Sequence, residues 1–176
     1  MNIFYLHQDP IQAPQYLYNK HCVKMILETA QMLCTAHHHW NEQGGIPTDH
    51  IPYRKAYYNH PSTKWARESK ANYIWLWEYF MSINIEYIKR YDKVHLCWTT
   101  CKDVLKDAPI GITDKPFTQP PQCMPDEFKA KSSIDAYWNY YIKAKRHIAY
   151  DWEGKWVYRP REIEQLNGYN NWKYQN

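Results

Sequence analysis

Lys24, Glu28, Gln31, Thr35 and His38 recur at steps of four, three, four and three within Asn19 to Trp40. That spacing places five polar side chains on one face of a helix. The other faces carry Val23, Met25, Ile26, Leu27, Ala30, Met32, Leu33 and Ala36. An ordinary surface helix has a broad polar face and a narrower apolar stripe. Here the proportions are reversed, which suits a polar seam facing a cleft. Such a seam is an acid–base set. Glu28 is a general base or the stabiliser of a developing cation, Lys24 one turn earlier keeps it ionised, and His38 is a proton carrier near neutral pH. Lys24 and His38 stand about 20 Å apart along the axis, so a site using both takes an extended ligand. A solvated face or a structural ion pair fits the same pattern.

Three further stretches suit ligand binding. Asn59-His60-Pro61 leads into Trp65, Ser69 and Asn72, which share a helix face. A ring with a hydroxyl and an amide beneath it can stack on a base and read its edge; inter-helix packing is the plainer reading. The stiff loop FTQPPQCMPDEF, Phe117 to Phe128, carries Cys123 and Asp126 and can close over a pocket. Cys123 has no base at a fixed spacing that would make it a nucleophile. Between Lys143 and Arg161 six Lys or Arg, Arg146 and Arg159 among them, interleave with Trp152, Trp156 and Tyr158. Cations and rings in one stretch are the composition of a nucleic-acid-contacting edge, or of a solvated helix end.

No metal or cofactor is expected. His37, His38 and His39 are consecutive, and successive helix residues diverge by about 100°, so the three cannot chelate one ion. With five glycines and no phosphate-binding Gly loop, the sequence disfavours NTP-hydrolysing and dinucleotide folds.

Composition sets the class. A chain of 176 residues fits one domain with a real core. Nine Trp and seventeen Tyr are the outliers. They supply core packing and amphipathic surface for planar or sugar-like ligands. The net charge of +4 is compatible with a polyanion or a small anionic ligand. Five cysteines with no paired spacing fit a reducing compartment. The start MNIFYLHQDP lacks the pattern of a secretion signal, and no apolar run is long enough to span a membrane. The expected location is the cytoplasm.

The elements that must position these residues are helices. Residues 2–7 read as a short strand or extended segment, and Ile11 to Tyr18 as a short helix broken by Pro14. The seam helix follows, then a loop over 41–53. A long helix runs from Ser62 to Tyr91, with Trp65, Tyr73, Leu76, Phe80, Ile83 and Tyr87 as its core face. Thr99 or Thr100 caps a shorter helix to about Lys106. Residues 108–125, with five prolines, form a long loop of the kind that often carries function. Ser132 or Ser133 caps a last helix to about Trp152. The expected architecture is mainly α, a single-domain helical bundle with long connecting loops. Residues 1–91 form its first half, 92–161 the loop, last helix and basic-aromatic stretch, and 162–176 a tail.

The order of these pieces resembles a known family. A start like MNIFYLH, a buried helix with a central Glu, and an NHP turn opening a long helix that ends in Lys89-Arg90-Tyr91 are similar to the small pyrimidine-dimer DNA glycosylases of phage and bacteria. The resemblance covers roughly residues 1–91. It is closer still to phage proteins sharing HxxKMxLExxQ and the PPQCMPDE loop. It implies an all-α fold, DNA binding with base flipping, and a glycosylase/AP-lyase mechanism. The nucleophile would be the α-amine of Met1, or of Asn2 after removal of Met1. Glu28 would stabilise the sugar cation and assist the lyase step.

The expected function is therefore that of a phage-encoded, DNA glycosylase-like enzyme acting on a nucleobase–sugar bond, with nucleic acid or a nucleotide as its partner. Lys24, Glu28 and His38 are the expected catalytic set. Gln31, Thr35, His60, Trp65, Ser69, Asn72, Cys123, Asp126, Arg146 and Arg159 are the expected binding set. The alternatives are chemistry on a free nucleotide or a modified phage base, and a non-catalytic protein that sequesters a nucleotide signal.

Overall fold

The computed structural model describes residues 1–148. Five α-helices account for the regular structure: α1 Asn19–Gln43, α2 Pro61–Glu68, α3 Lys70–Tyr91, α4 Leu96–Leu105 and α5 Ser133–Ala144. No strand is present among the described residues. The mainly helical reading is therefore correct. Helix α1 is central and packs on α2, α3 and α4. No helix among the described residues is long and apolar enough to cross a membrane.

Residues 2–7 are not a strand. Ile3, Phe4, Tyr5 and Leu6 are all buried, so the segment threads the core instead of alternating between core and solvent. Side chains take the place of a β-ladder. Tyr79 Oη donates to Ile3 O at 2.8 Å, Trp138 Nε1 to Leu6 O at 3.0 Å and Trp75 Nε1 to Gln8 O at 2.7 Å. A buried carbonyl needs a partner, and ring donors on α3 and α5 provide one. Phe4 adopts φ 51°, a left-handed conformation costly for a side chain with a Cβ.

The expected short helix within 11–18 contracts to a 3-10 turn, Ala13–Tyr16. It is tied to α3 by Arg90, which pairs with Glu86 at 2.7 Å and donates to Leu17 O and Asn19 Oδ1.

The expected helix over 62–91 is two helices. Ser69 is extended, φ −147° and ψ 154°, and its Oγ accepts the Asn72 N–H as a new N-cap. Helix α4 begins at Leu96, earlier than expected, because His95 Nδ1 accepts the Cys97 N–H. Helix α5 follows the Ser132 cap as expected and ends at Ala144, with a 3-10 turn Arg146–Ile148 after it. The expected extension towards Trp152, the basic-aromatic stretch beyond 148 and the tail lie outside the described residues.

Candidate active site

Glu28 sits midway along α1 with its side chain 14% exposed. Its carboxylate is held from two directions. Oε1 lies 3.2 Å from Lys24 Nζ, one turn earlier. Oε2 accepts the Asn2 backbone N–H at 3.1 Å and lies 4.0 Å from the Met1 α-amine. The threaded segment thus delivers the chain's first two nitrogens to one carboxylate. The Asn2 side chain fixes this delivery, since Nδ2 donates to Cys123 O at 3.0 Å. The buried Met1 side chain accepts a long hydrogen bond from Thr63 Oγ1 on its sulfur.

A cavity of about 260 Å³ opens at this point. Glu28, Lys24, Met1 and Asn2 line it together with His21, Phe4, Tyr140 and Lys145. His21 lies two turns before Glu28 on the same face of α1. The Tyr18 N–H donates to Tyr141 Oη at 2.6 Å, and Tyr141 Oη lies 3.0 Å from His21 Nδ1. With its oxygen already accepting, the hydroxyl hydrogen goes to His21 Nδ1, which leaves the ring proton on Nε2. Burial lowers the His21 pKa to about 3, and the charges of Lys145, Lys24 and His147 push the same way. The ring is therefore a neutral imidazole with an N–H donor. Phe4 stacks on it at 4.1 Å between centroids. The strained Phe4 backbone and the buried His21 are thus parts of one wall.

The rest of the lining comes from the second half of the chain. Lys145 Nζ stands 4.8 Å over the Tyr140 ring, and Cys123 belongs to the proline-rich loop. The Cys123 thiol lies 3.4 Å from Ser62 Oγ. Tyr137 Oη donates to Pro121 O at 2.7 Å and holds that loop against α5.

Of the residues singled out in the sequence, Lys24, Glu28 and Cys123 line this cavity, and the other described ones stand elsewhere. The seam does not act as one stripe. Thr35 Oγ1 donates to Gln31 O and accepts the Ala56 N–H, pinning the loop after α1. Half-buried Gln31 meets that contact through its carbonyl. His38 Nε2 contacts Tyr53 O at 2.9 Å in the same loop. His60 caps α2, its Nδ1 accepting the Ser62 N–H. Its pKa is lowered by burial and by the terminal amine, with Glu28 opposing, so it feels the charged pair without lining the cavity.

The Trp65, Ser69 and Asn72 cluster fastens the 113–125 loop. Trp65 is buried and donates to Thr118 O at 2.9 Å. Asn72 donates to Trp65 O and Thr118 Oγ1 and accepts the Thr118 N–H at 2.9 Å. Asp126 is exposed and pairs with Lys129 at 2.7 Å. Arg146 lies in the 3-10 turn after α5, and Arg159 lies outside the described residues. No group of three or more His, Cys, Asp or Glu suited to a metal ion occurs among the described residues.

His21, Phe4 and Tyr140 escaped the sequence reading, and Lys145 enters it only as one cation of the stretch between Lys143 and Arg161. For His21 the signal was available: 21, 24 and 28 continue the seam by a further step of three. Phe4 and Tyr140 carry no such mark, because only the tertiary fold brings them to the cavity.

No curated protein and no solved structure matches the chain. The family model of the pyrimidine dimer DNA glycosylases matches residues 1–99. That span contains Met1, Asn2, His21, Lys24 and Glu28 and more than half of the sequence, and the chain belongs to the pyrimidine dimer DNA glycosylase family.

Proposed function

We propose that the Glu28 cleft breaks the N-glycosyl bond of a damaged pyrimidine in DNA. The observation that carries this reading is the meeting of Glu28 with the first two backbone nitrogens on one open cavity. In the family's mechanism the α-amine lone pair attacks C1′ of the sugar. The bond from C1′ to the base breaks, and the base leaves with the bonding pair and takes up a proton. The amine is that of Met1; after trimming of Met1 it would be the Asn2 nitrogen, 3.1 Å from Glu28. A carboxylate at this point stabilises the positive charge that develops on the sugar. Neutral His21 offers an N–H to the substrate without adding a charge. Tyr140 provides a ring against which an extruded base can rest.

The partner is DNA. Lys24 and Lys145 line the cavity and suit a polyanion, and Arg146 follows directly. The second half of the chain supplies Cys123, Tyr140 and Lys145 to the cavity that Glu28 lines, which supports one domain over the described residues. Phage origin and a cytoplasmic location remain part of this reading.

The test is base release and strand cleavage on ultraviolet-irradiated duplex DNA. Glu28→Gln keeps the shape and removes the charge, and its rate is expected to fall by about two orders of magnitude or more. Its melting temperature and helical circular dichroism should change little. Intact-mass measurement identifies the residue that carries the amine, and borohydride trapping detects its Schiff base with the opened sugar. Undiminished activity in Glu28→Gln, or none in the wild type, removes the reading.

A further inference from the structure

A second cavity, of about 490 Å³, shares no lining residue with the first. Tyr5, Gln8, Trp75, Phe117 and Gln119 line it. Its size falls within the range of small-molecule sites. The Trp75 indole is held rigid: its N–H is tied to Gln8 O at 2.7 Å, and one face stacks on Tyr79 at 5.2 Å. Phe117 packs beside it at 6.1 Å and is 38% exposed, so this ring is the accessible platform.

Neutral polar groups converge on the same space. Tyr5 is 1% exposed, yet it borders the cavity. Burial raises its pKa, which keeps its hydroxyl protonated and a donor. Gln119 Oε1 accepts the Ser133 N–H at 2.8 Å, which leaves its amide nitrogen to donate. The Gln8 side-chain amide is exposed beside it. No charged side chain lines the cavity, so a phosphate or carboxylate finds no counter-charge there.

Rings with neutral donors and acceptors, and no ion, match a planar, uncharged, polar ligand. We propose that this second cavity binds an unpaired nucleobase, stacked on Phe117 and read at its edge by Gln8, Gln119 and the Tyr5 hydroxyl. Phe117 and Gln119 lie beyond the segment matched by the family, residues 1–99. The site is thus built with residues from the remainder of this chain, and it does not depend on catalysis at Glu28. The base can belong to a strand or to a free nucleoside, and the two sources separate by experiment.

The test is tryptophan fluorescence of the whole protein, titrated with each deoxynucleoside, a single-stranded oligonucleotide, the fully paired duplex and glucose. Saturable quenching by nucleosides is expected if the ligand is free, and by the single strand alone if the base arrives in a strand. Phe117→Leu keeps apolar bulk without the ring and should weaken binding about tenfold. Gln8→Ala changes an exposed side chain and should weaken it several-fold, which keeps the test decisive should Phe117→Leu fail to fold. Binding of glucose in place of bases, no binding at all, or binding untouched by both variants overturns the proposal. Failure of the glycosylase reading would appear as absent base release in Glu28-intact protein and leaves this titration unchanged.

Discussion

Acid should loosen this fold through two histidines before it protonates most carboxylates. Burial lowers His21 to a pKa of about 3 and His37 to about 4, against 6.5 for an unperturbed imidazole. His37 is buried with its Nε2 against Tyr73 Oη at 2.8 Å. His50 and His38 push it further down, and Asp107 opposes them. Both rings are neutral in the fold, whereas the unfolded chain takes up a proton on each below about pH 6.5. Stability from these groups is therefore complete above pH 6.5 and is lost as pH falls towards their folded values. Between pH 7 and pH 4 the linkage amounts to about 3 kcal/mol for each histidine. Two such losses are comparable with the whole stability of an ordinary domain, about 5–15 kcal/mol. The assay is urea unfolding at pH 7, 5.5 and 4, followed by circular dichroism. His21→Gln and His37→Gln retain a hydrogen-bonding amide and remove the titration, so each should remove roughly half of the pH slope. A double variant that loses stability with acid as steeply as the wild type refutes the reasoning.

Tyr141→Phe removes the hydroxyl that joins the Tyr18 N–H to His21 Nδ1, which costs about 2 kcal/mol; calorimetry should show a melting temperature lower by roughly 4–8 °C. Nitrogen chemical shifts of the same variant should show His21 released from its single tautomer. Asn72→Ala breaks the tie between α3 and Thr118, and limited proteolysis should find the 113–125 loop cut faster while Glu28 chemistry persists at a reduced rate. Lys145→Ala with Arg146→Ala should flatten the salt dependence of DNA binding, by about 0.9 in slope for each phosphate no longer neutralised; an unchanged slope places the phosphates elsewhere on the protein.

The helices were legible because their apolar spacing is regular, and the resemblance over residues 1–91 falls within the span that the family matches, residues 1–99. Three features were not legible, each for a physical reason. Ser69 stops a helix whose apolar period runs on through it, since one extended residue with a capping hydroxyl restarts the pattern. His60 and His95 act as N-caps through Nδ1, a role for which Ser, Thr, Asp and Asn are the usual signals. The aromatic excess reads in the sequence as core packing together with amphipathic surface for a ligand. Much of it serves the backbone: Trp40, Trp65, Trp75, Trp138, Tyr73, Tyr79 and Tyr137 all donate to main-chain carbonyls. A chain with long irregular segments has many carbonyls without a ladder, and a ring bearing one N–H or O–H satisfies them while filling the core.

That economy explains why polar residues at helical spacing divided into two groups. The end of α1 near His38 faces a loop, and a loop presents backbone groups that need partners, so Thr35 and His38 are consumed in holding it. The start of α1 faces the threaded segment, whose carbonyls at Ile3 and Leu6 are already taken by Tyr79 and Trp138. Glu28 is left with Lys24 and with the nitrogens of Met1 and Asn2. His21 is left with one nitrogen against Tyr141, and its ring lines the cavity. A polar side chain stays open to the cavity where the neighbouring carbonyls have other partners. On α1 that condition holds at the end where His21, Lys24 and Glu28 stand, and a carboxylate paired with Lys24 and the chain's first nitrogens, two turns from a neutral imidazole, is an arrangement suited to bond cleavage.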